Sequence, residues 1–171
     1  MSGKILMGKL RTVKGDVRNP QFSEKNELAI IPHCCNNLKI MGAGVALALK
    51  NKWNKVWTQY IKKGVFNLGE NSYAKVEKNI IVVNMIGQDG IVSATNSIPV
   101  KYWAIGKCLR SIRCELISSL NSNEETKGMI PVIHAPKFGS DLAKGDFNFI
   151  LELIREELLE HGIDVVIYEF E

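Results

Sequence analysis

The chain has 171 residues, a formal net charge of +4 and 46% hydrophobic residues, the length of one ordinary domain with enough apolar side chains to build its core. No apolar run approaches the roughly 20 residues of a membrane-spanning helix. The opening segment MSGKILMGKLRTVKGD lacks the apolar stretch of a secretory leader, so a cytoplasmic location with no membrane partner is expected. Residues 1–63 carry twelve Lys/Arg against three Asp/Glu, a balance of +9, and residues 64–171 carry ten against fifteen, a balance of −5. A basic half suits an anionic partner, but its lysines are scattered, and no basic run interleaves with aromatics, which argues against nucleic acid. Cys34, Cys35, Cys108 and Cys114 form no CxxC pair and no zinc-like spacing, so reduced thiols in the core are expected, with no metal site and no cofactor.

In chain order, residues 10–13 and 27–33 predict short strands. Residues 44–61 predict a helix with Val45, Leu49, Trp53, Val56, Trp57 and Tyr60 near one face. Residues 72–76 and 80–85 predict a strand pair around a turn at 77–79. Residues 101–120 predict a helix with Ile105, Leu109, Ile112, Leu116 and Leu120 in register, followed by a polar loop at 121–128. Residues 129–134 predict a strand that Pro131 marks as an edge or an irregularity. Residues 146–160 predict an amphipathic helix capped by Asp146, striped by Phe147, Ile150, Leu151, Ile154 and Leu158, and ended by Gly162. Residues 165–168 predict a last, continuously apolar strand. No repeat or linker divides the chain, so residues 1–171 are expected to form one domain. Strands alternating with helices predict an α/β sheet covered on both faces. Its ligand site is expected beyond the carboxyl ends of the strands, in the loops after Val13, His33, Met85 and His134.

Three segments at those places carry chemistry. In IIPHCCNNLKIMGAGVA, residues 30–46, a strand runs into a glycine-bearing loop that opens a helix. Backbone N–H groups and the helix N-terminus there suit a phosphate or diphosphate, although a tight packing turn has the same pattern, and neither a Walker loop nor GxGxxG is present. In APKFGSDLAKGD, residues 135–146, a second strand enters a Gly/Ser loop ahead of a helix. The two loops can clamp a diphosphate between them, or each can be a capped helix start. After the first strand comes Lys14-Gly15-Asp16-Val17, a common turn, or a carboxylate placed to accept from an exocyclic amine such as adenine's.

Taken in order, Lys14-Gly15-Asp16, Cys35-Asn36 with Gly42-Ala43-Gly44-Val45-Ala46, Pro136-Lys137-Phe138-Gly139-Ser140 ahead of Leu142-Ala143 and Gly145-Asp146-Phe147, and the closing Val166-Ile167-Tyr168 resemble a macrodomain over nearly the whole chain. That resemblance implies a three-layer α/β/α fold with a mixed central sheet of about six strands. The His-Cys-x-Asn segment at 33–36 and Asn84-Met85-Ile86-Gly87-Gln88 resemble the subgroup of ADP-ribose-1″-phosphate phosphatases and ADP-ribosyl-glutamate hydrolases. The resemblance implies metal-independent release of phosphate from ADP-ribose-1″-phosphate by a monomer, with ADP-ribose or that phosphate as the ligand. Removal of ADP-ribose from proteins, or non-catalytic ADP-ribose reading, are the alternatives.

Position by position, the resemblance implies that Asp16 holds the adenine amine beside Gly15 and Val17. Asn36 contacts the distal ribose, Gly42, Ala43, Gly44 and Val45 wrap the diphosphate and the distal phosphate together with Gly139, Ser140 and Leu142, and Pro136, Lys137 and Phe138 are further ligand-binding positions. Gln88 reaches ribose hydroxyls or folds its own loop, and Tyr168 lies near the adenine. Two residues depart from the pattern: His33 stands where Asn is common and Asp141 where Gly is usual. With Asn36 they are the catalytic candidates, His33 and Asp141 as proton carriers. A satisfied strand-end histidine and a turn cap are the plainer readings of those two. Residues 83–87 contain no lysine, which counts against glycosidic attack by a lysine.

Overall fold

A computed structural model describes residues 3, 6–64 and 66–170. Met1, Ser2, Lys4 and Ile5, part of the segment weighed above as a leader, lie outside the described residues, as do Val65 and Glu171. Six strands, β1 (Leu10–Lys14), β2 (Glu27–Asn36), β3 (Asn71–Glu77), β4 (Ile80–Gln88), β5 (Ile130–Pro136) and β6 (Asp164–Glu169), form one sheet in the order β1-β6-β5-β2-β4-β3. Every neighbouring pair is parallel except β3–β4. The helices α1 (Gly44–Lys52) and α2 (Asn54–Lys62) cover one face, α3 (Tyr102–Ser111) and α4 (Phe147–Glu157) the other.

The layering follows from period-2 alternation in strands that are apolar on both sides. In β2, buried along its whole length, Leu28, Ile30 and Cys34 pack toward α3 and α4. Ala29, Ile31 and Cys35 pack toward Leu49, Val56 and Tyr60 of α1 and α2. The adjacent cysteines thus face opposite layers, as expected. Cys108 is also buried, but Cys114 is exposed, so the core placement fails for that thiol. No helix among the described residues is long and apolar enough to cross a membrane.

Besides strand and helix ends that shift by a few residues, the predicted elements differ from the structure in three places. The helix expected over 44–61 is two helices, broken at Trp53 in extended conformation (φ −131°, ψ 95°). The Trp53 indole N–H donates to Glu77 Oε1 at the end of β3 (3.0 Å), a tertiary contact that helical periodicity does not register. The helix expected over 101–120 keeps its core positions Ile112 and Leu120 but passes through a π-helical turn at Ile112–Ile117. Pro131 does not mark an edge: β5 lies between β6 and β2. It is tolerated as the second residue of the strand because β6 pairs with β5 only from Val132 onward. The α4 stripe, the Asp146 cap (accepting from Asn148 N, 2.9 Å) and the left-handed Gly162 (φ 78°) follow the sequence.

Candidate functional site

β2 and β5 pair only over Glu27–Ile30 and Ile130–Ile133, although they run on to Asn36 and Pro136. Beyond that point the two middle strands separate, and the gap at their carboxyl ends opens into a cleft of about 980 Å³. Loops from β1, β2, β4 and β5 line it, which is where an open α/β sheet places its ligands.

On one side, α1 opens at Gly44 with a positive φ of 59°. Its first N–H groups have no partner within the helix, and its dipole makes this end electropositive. On the other side, Gly139 turns the β5 loop at φ 74°, and Ile150 Cδ1 lies 2.8 Å from the place a Cβ there would occupy. The same loop carries Leu142 across the gap, with its Cδ1 3.2 Å from where a Cβ on Gly44 would stand. The two glycine loops therefore face each other across the cleft, bridged by Leu142.

At the far end, Asp16 follows β1. Its Oδ1 accepts the Arg18 N–H (2.9 Å) and its Oδ2 accepts Arg18 Nε (2.8 Å), and the Arg18 guanidinium holds this carboxyl below the usual carboxylate range. The Tyr168 ring and the Lys137–Glu169 ion pair (2.7 Å) line the same end.

Of the expected site residues, Gly15, Asp16, Val17, Asn36, Gly42, Ala43, Gly44, Val45, Gln88, Pro136, Lys137, Phe138, Gly139, Asp141, Leu142 and Tyr168 line the cleft. Ser140 does not; its hydroxyl donates back to the Lys137 carbonyl (2.8 Å). Asn36 builds its own loop. Its Oδ1 accepts from Leu38 N (2.9 Å) and Tyr60 Oη (3.2 Å), and its Nδ2 donates to the Ile40 carbonyl (2.9 Å), which leaves one N–H for a ligand. Asp141 sits exposed on the rim, the one lining carboxylate without an ion pair among the described residues.

His33 is a correction. Its side chain is fully buried on the α1–α2 face, with Nε2 2.6 Å from Asn84 Oδ1. Asn84 in turn donates to the Val56 carbonyl of α2 (3.1 Å). The expected role as a proton carrier fails on position: the residue is absent from the cleft lining, and burial pushes its pKa down to about 4. His33 therefore stays neutral in the folded protein below pH 6.5, where the unfolded chain takes up a proton. Folding stability is thus complete above about pH 6.5 and falls by about 2–3 kcal/mol as pH drops toward 4. Buried His134, also shifted downward by burial, adds in the same direction. Urea unfolding at pH 7 and pH 5 checks this: stability should be lower at pH 5, and His33→Gln should flatten the dependence. Equal stability at the two values would show the account wrong.

Sequence reasoning missed Arg18, two residues beyond Asp16, and the apolar pair Ile91 and Val92, each 45% exposed at the cleft mouth. An Asp-x-Arg loop and an apolar pair between Gly90 and Ser93 were the available signals.

No protein-family model matches the sequence, and no curated protein matches it. Solved structures do. A Bacteroides thetaiotaomicron protein of unknown function is 30% identical, with 94% of this chain and 98% of that one aligned at a TM-score of 0.78. A macrodomain protein from Streptomyces coelicolor is 28% identical over 94% and 99% of the two chains, with a TM-score of 0.70. DarTG from Thermosipho africanus, solved in complex with ADP-ribose, shares the fold at 18% identity and a TM-score of 0.65, over 95% of this chain and 42% of that one. A mixed six-stranded sheet between two helical layers, aligned almost end to end with a bacterial macrodomain, places this chain in the macrodomain family.

Proposed function

We propose that the cleft binds ADP-ribose and that the protein hydrolyses the phosphate monoester of ADP-ribose-1″-phosphate to ADP-ribose and phosphate. The observation that carries the binding reading is the pair of facing glycine loops, one of them a helix N-terminus, where β2 and β5 part. Such a site offers N–H donors to a diphosphate. The ADP-ribose held by the Thermosipho africanus protein of the same fold supports the choice of ligand. Asp16 then meets the adenine amine with Tyr168 beside the base. The Gly42–Val45 and Gly139–Leu142 backbones wrap the phosphates, and Asn36 and Gln88 face the distal ribose.

For the chemistry, water attacks phosphorus and the bond to the ribose 1″ oxygen breaks. The loop N–H groups stabilise charge on the phosphoryl oxygens, and Asp141 carries the proton. Phosphate release from ADP-ribose-1″-phosphate, measured with a chelator present, tests this; no release by the pure protein sinks the phosphatase. A second reading, removal of ADP-ribose from modified proteins, is favoured by the exposed apolar side chains Ile91, Val92 and Leu142 at the mouth, which a free nucleotide does not need. Release of ADP-ribose from a modified protein in a parallel assay would identify it.

Asp16→Ala should weaken ADP-ribose binding by about 1.5–3 kcal/mol, the size of one charged hydrogen bond. Calorimetry that finds parental affinity would leave Asp16 a turn residue tied to Arg18.

A further inference from the structure

A buried polar chain runs from the sheet to the Asp16 end of the cleft. It starts at Glu27, 2% exposed at the head of β2. Glu27 Oε1 lies 2.5 Å from Nε2 of fully buried His134 on β5. His134 Nδ1 lies 2.8 Å from Tyr168 Oη on β6, and that oxygen accepts the Gln21 N–H at 2.8 Å. The other Glu27 oxygen accepts the N–H groups of Ser23 (2.8 Å) and Glu24 (3.4 Å). The Phe22 ring centroid is 6.0 Å from that of His134. Loop residues 21–24 are thus gripped by side chains from β2, β5 and β6.

A carboxylate oxygen only accepts, so His134 Nε2 carries the proton and Nδ1 accepts from the Tyr168 hydroxyl. Tyr168 has then spent its proton on the histidine and receives Gln21. A neutral imidazole suits this place because it donates at one nitrogen and accepts at the other. The grip reaches Asp16 through Gln21. The Gln21 side chain donates to the Lys14 carbonyl (3.2 Å) and stands 3.1 Å from the place of a Cβ on Gly15. Arg11 on β1 donates to the Gln21 carbonyl (3.3 Å).

We infer that Glu27 and His134 are positioning residues for the cleft: acting through Tyr168 they hold loop 15–26 so that Asp16 meets the nucleotide base, and they thereby set base selectivity. The inference rests on the ADP-ribose reading of the cleft. A buried carboxylate–imidazole pair is weak evidence of stabilisation, since apolar replacements of similar volume are often neutral or better. What the chain supplies here is orientation.

The test uses Tyr168→Phe, which keeps the ring in the cleft and the Glu27–His134 pair, with Glu27→Gln probing the far end. Binding of ADP-ribose and of its inosine analogue is measured for the parent and both variants. ADP-ribose affinity should fall about tenfold, one hydrogen bond's worth. Affinity for the inosine analogue, which lacks the amine, should hold, so the selectivity ratio collapses. General destabilisation would weaken both ligands alike; Ile154→Val, a core change under α4, serves as that control and should keep the parental ratio. Amide exchange without ligand supplies a second readout: Gln21 should exchange about tenfold faster in Tyr168→Phe, by local opening of the loop. A parental ratio and parental Gln21 exchange in both variants would overturn the inference. A parent that binds neither nucleotide would overturn the ADP-ribose reading instead, and Gln21 exchange would still decide whether the chain holds the loop.

Discussion

Gly44→Glu should abolish measurable ADP-ribose binding while leaving the protein folded. Gly44 opens α1 at φ 59°, a conformation that costs an L-residue about 1–2 kcal/mol. That cost is tolerable, because a glutamate in the first helical turn is favoured by the helix dipole. The same attraction makes the substitution damaging to binding. Its carboxylate would take the N–H groups offered to the ligand's phosphates, and its side chain would start 3.2 Å from Leu142, the residue that reaches across the cleft. Loss of two charged hydrogen bonds, at about 1.5–3 kcal/mol each, puts the effect at roughly a hundredfold or more. Gly44→Ala carries the strain and the Leu142 contact without the charge, so it should bind far better than Gly44→Glu. Calorimetry on both, beside thermal unfolding, checks the argument; a folded Gly44→Glu protein with parental affinity would remove the phosphate site from this loop.

Asp141→Ala is expected to lower phosphate release by about 10²–10⁴-fold, the usual worth of general acid–base help, with ADP-ribose affinity nearly unchanged. The other two lining carboxylates are committed, Asp16 to Arg18 and Glu169 to Lys137. Asp141 sits exposed beside Leu142, which touches the helix end where a phosphate would lie. With His33 buried against Asn84, no histidine lines the cleft among the described residues, and in the proposed reaction the proton work would fall to this carboxylate. Asp141→Asn should fall in step with Ala, since an amide matches the shape but takes up no proton. Parental turnover in both variants would leave the phosphatase without its proton carrier and turn attention to the loop backbone.

Much of this was legible along the chain. Apolar strands alternating with amphipathic helices determined an α/β sheet covered on both faces, because a buried strand must be apolar on both sides and a helix on one stripe. Glycines where a strand gives way to a helix marked both loops that face each other across the cleft. An aspartate after the first strand marked the other end. These are local signals, readable from neighbours within a few residues. The tertiary structure decided the rest. Periodicity ran straight through Trp53, because the contact with Glu77 that accompanies the break comes from 24 residues away. Pro131 read as an edge or an irregularity, since no local pattern shows that β6 begins pairing one residue later. His33 stands in an apolar run three residues before the candidate Asn36, and only the packing of Asn84 and α2 against it shows which face it takes. Above all, the cleft exists because β2 and β5 stop pairing after Ile30 and Ile133. The parting of two strands a hundred residues apart is a property of the sheet, so the sequence could name the walls of the site while the fold alone set the gap between them.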